Sequence, residues 1–137
     1  MVENTARTLA IIEKLYAATG AGAWTLAEEY LTDDLFITEA DALPYAGLYQ
    51  GRGALQELFL KVMSMMDVER LDLEQITAGG DYVIALVSFI FKDPALPRAR
   101  LAEMYRFRGD KVCEIRPYYF EPAQITAAVE AKKRASS

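Results

Sequence analysis

The sequence predicts an α+β domain in which helices lie on one face of a curved, mostly antiparallel sheet. Helix-period apolar patterns dominate the first part of the chain, and strand-type segments separated by turns dominate the second part. This segregated order is typical of α+β domains. The chain has 137 residues, 53% of them hydrophobic, which suits one domain with a substantial core. We therefore expect a single domain over residues 1–137.

The helices are predicted from the spacing of apolar residues. The first runs from Asn4 to Thr19 and ends at Gly20-Ala21-Gly22, because glycine readily adopts the left-handed conformation found at helix ends. A short second helix begins near Thr25, which has capping-box spacing to Glu28. Two more helices are expected over Ala54–Met65 and Pro122–Arg134.

The strands are predicted from alternation and from turn residues. Tyr82–Phe91 is nearly all apolar, which is typical of a central strand. Gly109-Asp110 predicts a hairpin turn, and Asp41–Gly51 is expected to be mainly loop because it contains Pro44 and glycines. The remaining strands are expected over Leu35–Glu39, Arg70–Thr77, Arg100–Arg108 and Lys111–Phe120.

Charge and composition exclude several classes of protein. The formal net charge is -5 and no basic stripe is present, so binding to nucleic acid is not expected. The longest apolar run, Tyr82–Phe91, is too short to span a membrane, and the N-terminal residues lack a signal-peptide pattern. The lone Cys113 cannot form an internal disulfide, which suits a reducing cytoplasm.

The absence of histidine limits the possible chemistry. It excludes Ser-His-Asp and Cys-His catalysis as well as His-ligated metal sites. We predict neither a metal nor another cofactor. Proton transfer near neutral pH would then require a carboxyl, tyrosine, lysine or cysteine side chain with a shifted pKa.

Several short motifs are distributed along nearly the whole chain. They are Ile11–Lys14, Ala17-Ala18, Ala21-Gly22, Leu31–Asp34, Tyr49–Gly53, Val87–Phe89 and Tyr105–Phe107 with Gly109 and Lys111-Val112. In this order and spacing the chain resembles the SnoaL-like and ketosteroid-isomerase-like branch of the nuclear transport factor 2-like superfamily. The resemblance implies a cone-shaped half-barrel (a cystatin-like roll), a pocket at its open end, and a homodimer formed through the sheet.

The resemblance also implies two catalytic carboxylates. Glu39 falls where ketosteroid isomerase has its base, and Glu103 falls where it has a protonated acid that stabilises an oxyanion. The oxyanion tyrosine of the isomerase corresponds to Leu15. Tyr16 lies one residue further, a turn of about 100° around the helix, so the sequence leaves open whether it reaches the pocket, and we keep it as a candidate ligand contact.

Strand alternation adds further candidates. If Glu103 points inward, Tyr105 does too. On the next strand, alternation leaves two opposite faces, and by analogy with the family we place Glu114, Arg116 and Tyr118 inside. Arg116 would then pair with Glu114 or Glu103, either as part of a tuned acid–base site or as a structural ion pair.

Aromatic residues complete the candidate ligand contacts. Tyr45 and Tyr49 flank a loop at the expected cavity mouth, and Trp24 lies in either the pocket or the core. The first functional hypothesis is a cofactor-free isomerase, cyclase or dehydratase that transfers protons on a small apolar, polyketide-like or steroid-like molecule. The alternative is a non-catalytic ligand-binding or dimeric interaction module of the same fold.

Overall fold

A curved, open six-stranded sheet organises the fold in the computed structural model, which describes residues 2–136. The strand order is β2-β1-β6-β5-β4-β3, and β1–β6 is a parallel pair in an otherwise antiparallel sheet. In chain order the elements are α1 (Val2–Gly20), α2 (Trp24–Glu28), β1 (Leu31–Glu39), β2 (Gly47–Gln50), α3 (Ala54–Met65), β3 (Val68–Gly79), β4 (Tyr82–Phe91), β5 (Ala99–Arg108), β6 (Lys111–Tyr119) and α4 (Pro122–Ser136). The predicted α+β half-barrel is confirmed.

The glycine segment after α1 ends that helix as predicted. Gly22 has φ +69°, in the left-handed region. Its amide donates to the carbonyl of Thr19 at 3.1 Å, and the Ala23 amide donates to the carbonyl of Ala18 at 2.8 Å. These two bonds form a Schellman motif, which satisfies carbonyls that the end of the helix would otherwise leave unpaired.

Three local predictions differ from the structure. β2 lies inside the segment predicted as loop, where Gly47–Gln50 pairs with the end of β1. β1 begins at Leu31, four residues earlier than predicted, and an irregularity in its pairing with β6 accommodates the polar residues near its start. The capping box is wrong, because α2 begins at Trp24 and has no side-chain cap.

The core lies between the sheet's inner face and the helices. Alternate residues of β4 point inward, and Val83, Ala85 and Val87 are buried there. Ile12 of α1 and Ile125 of α4 are completely buried against the same core. Helices from both ends of the chain therefore pack onto one side of the sheet. The buried polar or charged residues of the described chain are Thr8, Glu39, Ser88 and Glu114. No helix of the described residues is long and apolar enough to cross a membrane.

Candidate functional site

Glu39 is a buried acid with a carboxyl oxygen that lacks a partner among residues 2–136. It is the last residue of β1 and is 4% exposed. Its Oε1 atom is buried and makes no hydrogen bond within the described residues. Buried polar atoms almost always have a hydrogen-bond partner, and the exceptions are often found at functional sites.

Glu103, in the middle of β5, is held by two tyrosine hydroxyls. Tyr16 donates a short hydrogen bond to Glu103 Oε1, and Tyr105 donates to the same atom at 3.2 Å. The Tyr16 hydroxyl oxygen lies 3.0 Å from the Tyr105 hydroxyl, so it shares the single Tyr105 proton with Glu103 Oε1. The three side chains therefore form one hydrogen-bonded group on the inner side of the sheet.

The side chain of Tyr16 lies on the same side of the sheet as the acids, a point that the sequence left open. Leu15 is buried, Tyr16 is partly buried beside it, and the Tyr16 hydroxyl donates to Glu103. The buried face of α1 is wide enough for both residues, and a tyrosine at its border places a polar tip inside while its ring packs on the core.

A second hydroxyl pair lies close to Glu39. The hydroxyls of Tyr45 and Tyr119 are 2.6 Å apart, and Tyr45 is fully buried. The Tyr119 ring stacks on Phe89 with 6.4 Å between ring centroids. Burial is the main cause that raises the pKa of Tyr45 and of Tyr119, and the charges of Glu39 and Glu103 raise both values further. Glu39, Glu103, Tyr16, Tyr105, Tyr45 and Tyr119 are therefore described together as the polar cluster.

The environment of the cluster favours protonated acids. Burial, and then the charge of Glu103, raise the pKa of Glu39 from 4.5 to about 8. Burial also raises the pKa of Glu103, although the hydrogen bonds from Tyr16 and Tyr105 act in the opposite direction. The negative charge of Glu103 therefore disfavours ionisation of Glu39.

The tyrosines of the cluster remain neutral hydrogen-bond donors. Burial, with a further contribution from Glu103, raises the pKa of Tyr16 and of Tyr105 well above the ordinary value. A hydroxyl that stays protonated can donate a hydrogen bond to an anionic oxygen without itself ionising. The family resemblance implies a ligand cavity next to these side chains, and this cavity remains a prediction.

The inward placement of Glu114, Arg116 and Tyr118 is wrong. Glu103 lies opposite Pro117 in the ladder between β5 and β6, so Pro117 and its alternate neighbours share the inner face. Arg116 pairs with Glu114 at 2.5 Å on the outer face, where Tyr118 is half-exposed. The predicted Arg116–Glu114 pair is confirmed, but it belongs to the outer face and cannot neutralise Glu103.

Other aromatic candidates have structural partners. Trp24 packs edge-on against Phe59 of α3, with 5.1 Å between ring centroids. Tyr49 is buried and donates to the Tyr45 carbonyl at 2.8 Å, which fixes the loop that carries Tyr45. Tyr49 therefore supports the cluster indirectly, whereas Trp24 contributes to packing between helices.

Tyr119 is the cluster member that sequence reasoning missed. The signal was present in β6, where Ile115, Pro117 and Tyr119 form a more apolar alternating set than Glu114, Arg116 and Tyr118. The more apolar face of a strand normally faces the core. That rule alone would have placed Tyr119 inside.

Solved structures of other proteins share this fold at low sequence identity. A nuclear transport factor 2-like protein from Burkholderia xenovorans LB400 is 22% identical, with a TM-score of 0.74 over 91% of this chain and 97% of that one. TerC, co-crystallised with polyporic acid, is 12% identical, with a TM-score of 0.76 over 90% and 98% of the two chains. A predicted ketosteroid isomerase from Kribbella flavida DSM 17836 is 18% identical, with a TM-score of 0.66 over 86% and 81%.

These identities establish a shared fold, and a shared fold does not by itself assign an activity. No curated protein matches the chain significantly. The profile of the SnoaL-like domain matches residues 12–115, a segment that runs from α1 to β6 and includes Tyr16, Glu39, Glu103 and Tyr105. The chain therefore belongs to the SnoaL-like domain family.

Proposed function

We propose that the protein is a cofactor-independent enzyme that transfers protons on a small, mostly apolar organic molecule. Glu39 accepts and returns the proton, and the group formed by Glu103, Tyr16 and Tyr105 stabilises the negative oxygen that develops. The observation that carries the proposal is the buried Glu39 carboxyl, whose Oε1 lacks a hydrogen-bond partner among the described residues and which lies within electrostatic range of a second, partly buried acid. Isomerisation, cyclisation and dehydration all use this chemistry.

The raised pKa of Glu39 suits an acid–base role. With a pKa of about 8, both the protonated and the ionised form of the carboxyl are present around neutral pH. An ionised Glu39 would remove a proton from a carbon next to a carbonyl group of the substrate. The protonated carboxyl would then deliver that proton to another carbon or to a leaving oxygen.

Neutral hydroxyls beside Glu103 suit the second role. Removal of a proton next to a carbonyl places negative charge on the carbonyl oxygen. Tyr16 and Tyr105 already direct their protons towards Glu103 Oε1, so the negative oxygen would replace that atom as the acceptor of one of these protons.

The substrate class follows from the cluster's composition and from one structural neighbour. No lysine or arginine hydrogen-bonds to Glu39 or Glu103 among the described residues, which disfavours an anionic group of the substrate at this point. The cluster's surroundings are aromatic and aliphatic. TerC was co-crystallised with a small organic molecule, polyporic acid, which supports a polyketide-like, steroid-like or similar apolar substrate here.

The alternative function, a ligand-binding or interaction module without chemistry, rested on two conditions that the sequence left open. One was a Tyr16 side chain that misses the pocket, and the other was neutralisation of the acids by Arg116. Tyr16 donates to Glu103, and Arg116 pairs with Glu114 on the opposite face of the sheet. The enzymatic proposal is therefore the better supported of the two.

We also propose a homodimer that associates through the sheet's outer face. On β4, the outward residues Tyr82 and Leu86 are 47% and 42% exposed, and Ile84 between them is partly exposed. An exposed apolar strip on a sheet is suited to association with a second copy.

The buried, unpaired Cys113 supports a location in the reducing cytoplasm.

A model carbon acid tests the catalytic proposal before the natural substrate is identified. Desolvated carboxylate bases accelerate the ring opening of 5-nitrobenzisoxazole, which is followed by absorbance. We expect the wild-type protein to accelerate it and Glu39→Gln to lower the rate by about a hundredfold, which is typical of losing a general base. Glu57→Gln, on the exposed side of α3, is the control and should retain the wild-type rate. Equal rates for Glu39→Gln and wild type would contradict the assignment of Glu39.

A further inference from the structure

A small pocket opens at the end of the sheet where β1 and β6 finish and α4 begins. Its volume is about 270 Å³. Its wall consists of Thr38, Ala40, Arg116, Pro117, Tyr118, Tyr119 and Pro122. The volume is slightly below the range for drug-sized ligands, so the pocket suits a molecule of one or two rings.

The guanidinium at the pocket is positioned by its neighbours. Arg116 donates to Glu114 Oε2 through Nε at 3.1 Å and through Nη2 at 2.5 Å, and it donates to the Tyr118 hydroxyl through Nη1 at 2.9 Å. A guanidinium has more N–H groups than these three bonds use. The side chain is 45% exposed, so the remaining donors are accessible.

The charge around Arg116 favours an anion. Glu114 is almost completely buried and is shared with Arg106, whose Nε lies 3.0 Å from Glu114 Oε1. Burial opposes ionisation of Glu114, but hydrogen bonds from the two arginines lower its pKa and keep it ionised. Two positive groups around one negative group leave a net charge of +1, and no acidic side chain lines the pocket among the described residues.

The remaining walls favour a flat, apolar partner. Pro117 and Pro122 contribute saturated rings, and Tyr118 and Tyr119 contribute aromatic rings. Aromatic groups pack well against such surfaces, and arginine pairs with carboxylates in a planar, two-bond geometry. These features select an aromatic ring that carries a carboxylate.

We propose that this pocket is a binding site for small aromatic carboxylates, with Arg116 holding the carboxylate and the proline and tyrosine rings enclosing the aromatic group. The site is separate from the catalytic cluster because Arg116 and Tyr118 lie on the outer face of β6, whereas Glu103 lies on the inner face of β5. Tyr119 is the residue common to both, since it lines this pocket and its hydroxyl contacts Tyr45. Binding here does not require Glu39 to be catalytic.

The experiment compares two probes of nearly the same shape, 2-naphthoate and the uncharged 2-naphthamide, by two-dimensional NMR of the full chain. We expect saturable shifts of the Ala40 and Tyr118 amides with 2-naphthoate, and about tenfold weaker binding of 2-naphthamide because it lacks the charge. This comparison uses wild-type protein only, so it does not depend on any variant folding.

Variants then assign the site to Arg116. Arg116→Met should weaken 2-naphthoate binding about tenfold, and Arg116→Lys should weaken it to a smaller extent because lysine keeps the charge but loses the planar fork. Arg108→Met is the control, since Arg108 pairs with Asp34 at the opposite end of β5. The proposal is overturned if 2-naphthamide binds as tightly as 2-naphthoate, if no saturation is seen by about 10 mM, or if Arg116→Met binds 2-naphthoate like wild type.

Discussion

At the scale of single residues, the protein tolerates at Glu39 a group that a fold optimised for stability alone would replace. The carboxyl is buried, one of its oxygens lacks a partner, and a second acid lies within electrostatic range. Its ionised form is therefore costly in the native state. Such costs are common at functional sites, where a shifted pKa serves the chemistry.

The cost of Glu39 gives the unfolding free energy a specific pH dependence. The native state keeps its proton up to a pKa of about 8, whereas the unfolded chain loses it near 4.5. The stabilisation is thus fully present below 4.5 and is lost as the pH rises towards 8, at about 1.4 kcal/mol per pH unit for this group. Urea unfolding of Glu39→Gln between about pH 5 and 8.5 should give a shallower decline and a variant more stable than wild type at the upper end.

The control for this measurement is Glu57→Gln, which changes an exposed acid on α3. Its stability should run parallel to that of wild type over the same pH range. Parallel curves for Glu39→Gln and wild type would mean that the native state ionises Glu39 at no cost. Glu103 contributes in the same direction because its pKa is also raised, so some decline should persist in Glu39→Gln.

At the scale of elements, the predictable features were those with a local cause. Helix α3 and strand β4 have the bounds that their apolar patterns predicted, and Gly22 ends α1 through its left-handed conformation. Two of the predictions that failed, the start of β1 and the absence of β2, concern features that depend on pairing with another strand. Strand β2 has only four residues and forms by pairing with the edge of β1. No pattern within the segment predicted as loop indicates this pairing.

Alternation along β6 illustrates the same limit. It divided the residues correctly into two faces but did not decide which face points inward. The register against β5, with Glu103 opposite Pro117, decides it. Family analogy favoured the charged set, whereas the apolar content of the Ile115 set would have favoured the observed arrangement.

Two glycines in one segment provide a matched test of the end of α1. Gly22 has φ +69°, so Gly22→Ala should lower stability by about 1–2 kcal/mol, because a Cβ is disfavoured in that conformation. Gly20 lies within α1 without positive φ, and a Cβ added to it would meet open space, so Gly20→Ala should raise stability by up to about 1 kcal/mol. Thermal or urea unfolding measures both, and a Gly22→Ala variant as stable as Gly20→Ala would contradict the proposed helix stop.

At the scale of the whole molecule, the sheet separates two kinds of chemistry. Its inner face carries the protonation-sensitive acids and their tyrosines, and its outer face carries arginines paired with Glu114 together with exposed apolar side chains. The fold class was predictable because the order of helices and strands allows few arrangements. The inner cluster was only partly predictable, because Tyr16 and Tyr119 reach it through packing between α1, β5 and β6.

The outer face makes the oligomeric state testable. Leu86→Glu places a charge in the middle of the exposed apolar strip on β4 and should shift the protein towards monomer in sedimentation velocity. Leu60→Glu is the control because Leu60 is similarly exposed on α3, away from the sheet. Wild type that sediments as a monomer at all concentrations, or a Leu86→Glu dimer as tight as wild type, would contradict association through this face.

The most direct test of the proposed function is a site-resolved titration of the Glu39 carboxyl by carbon-13 NMR, assigned with Glu39→Gln. Glu39 should titrate with a pKa near 8, and Glu103→Gln should lower that pKa because it removes a neighbouring negative charge. A Glu39 carboxyl that titrates near its ordinary value of 4.5, with no response to Glu103→Gln, would contradict a buried, coupled acid and the catalytic role built on it.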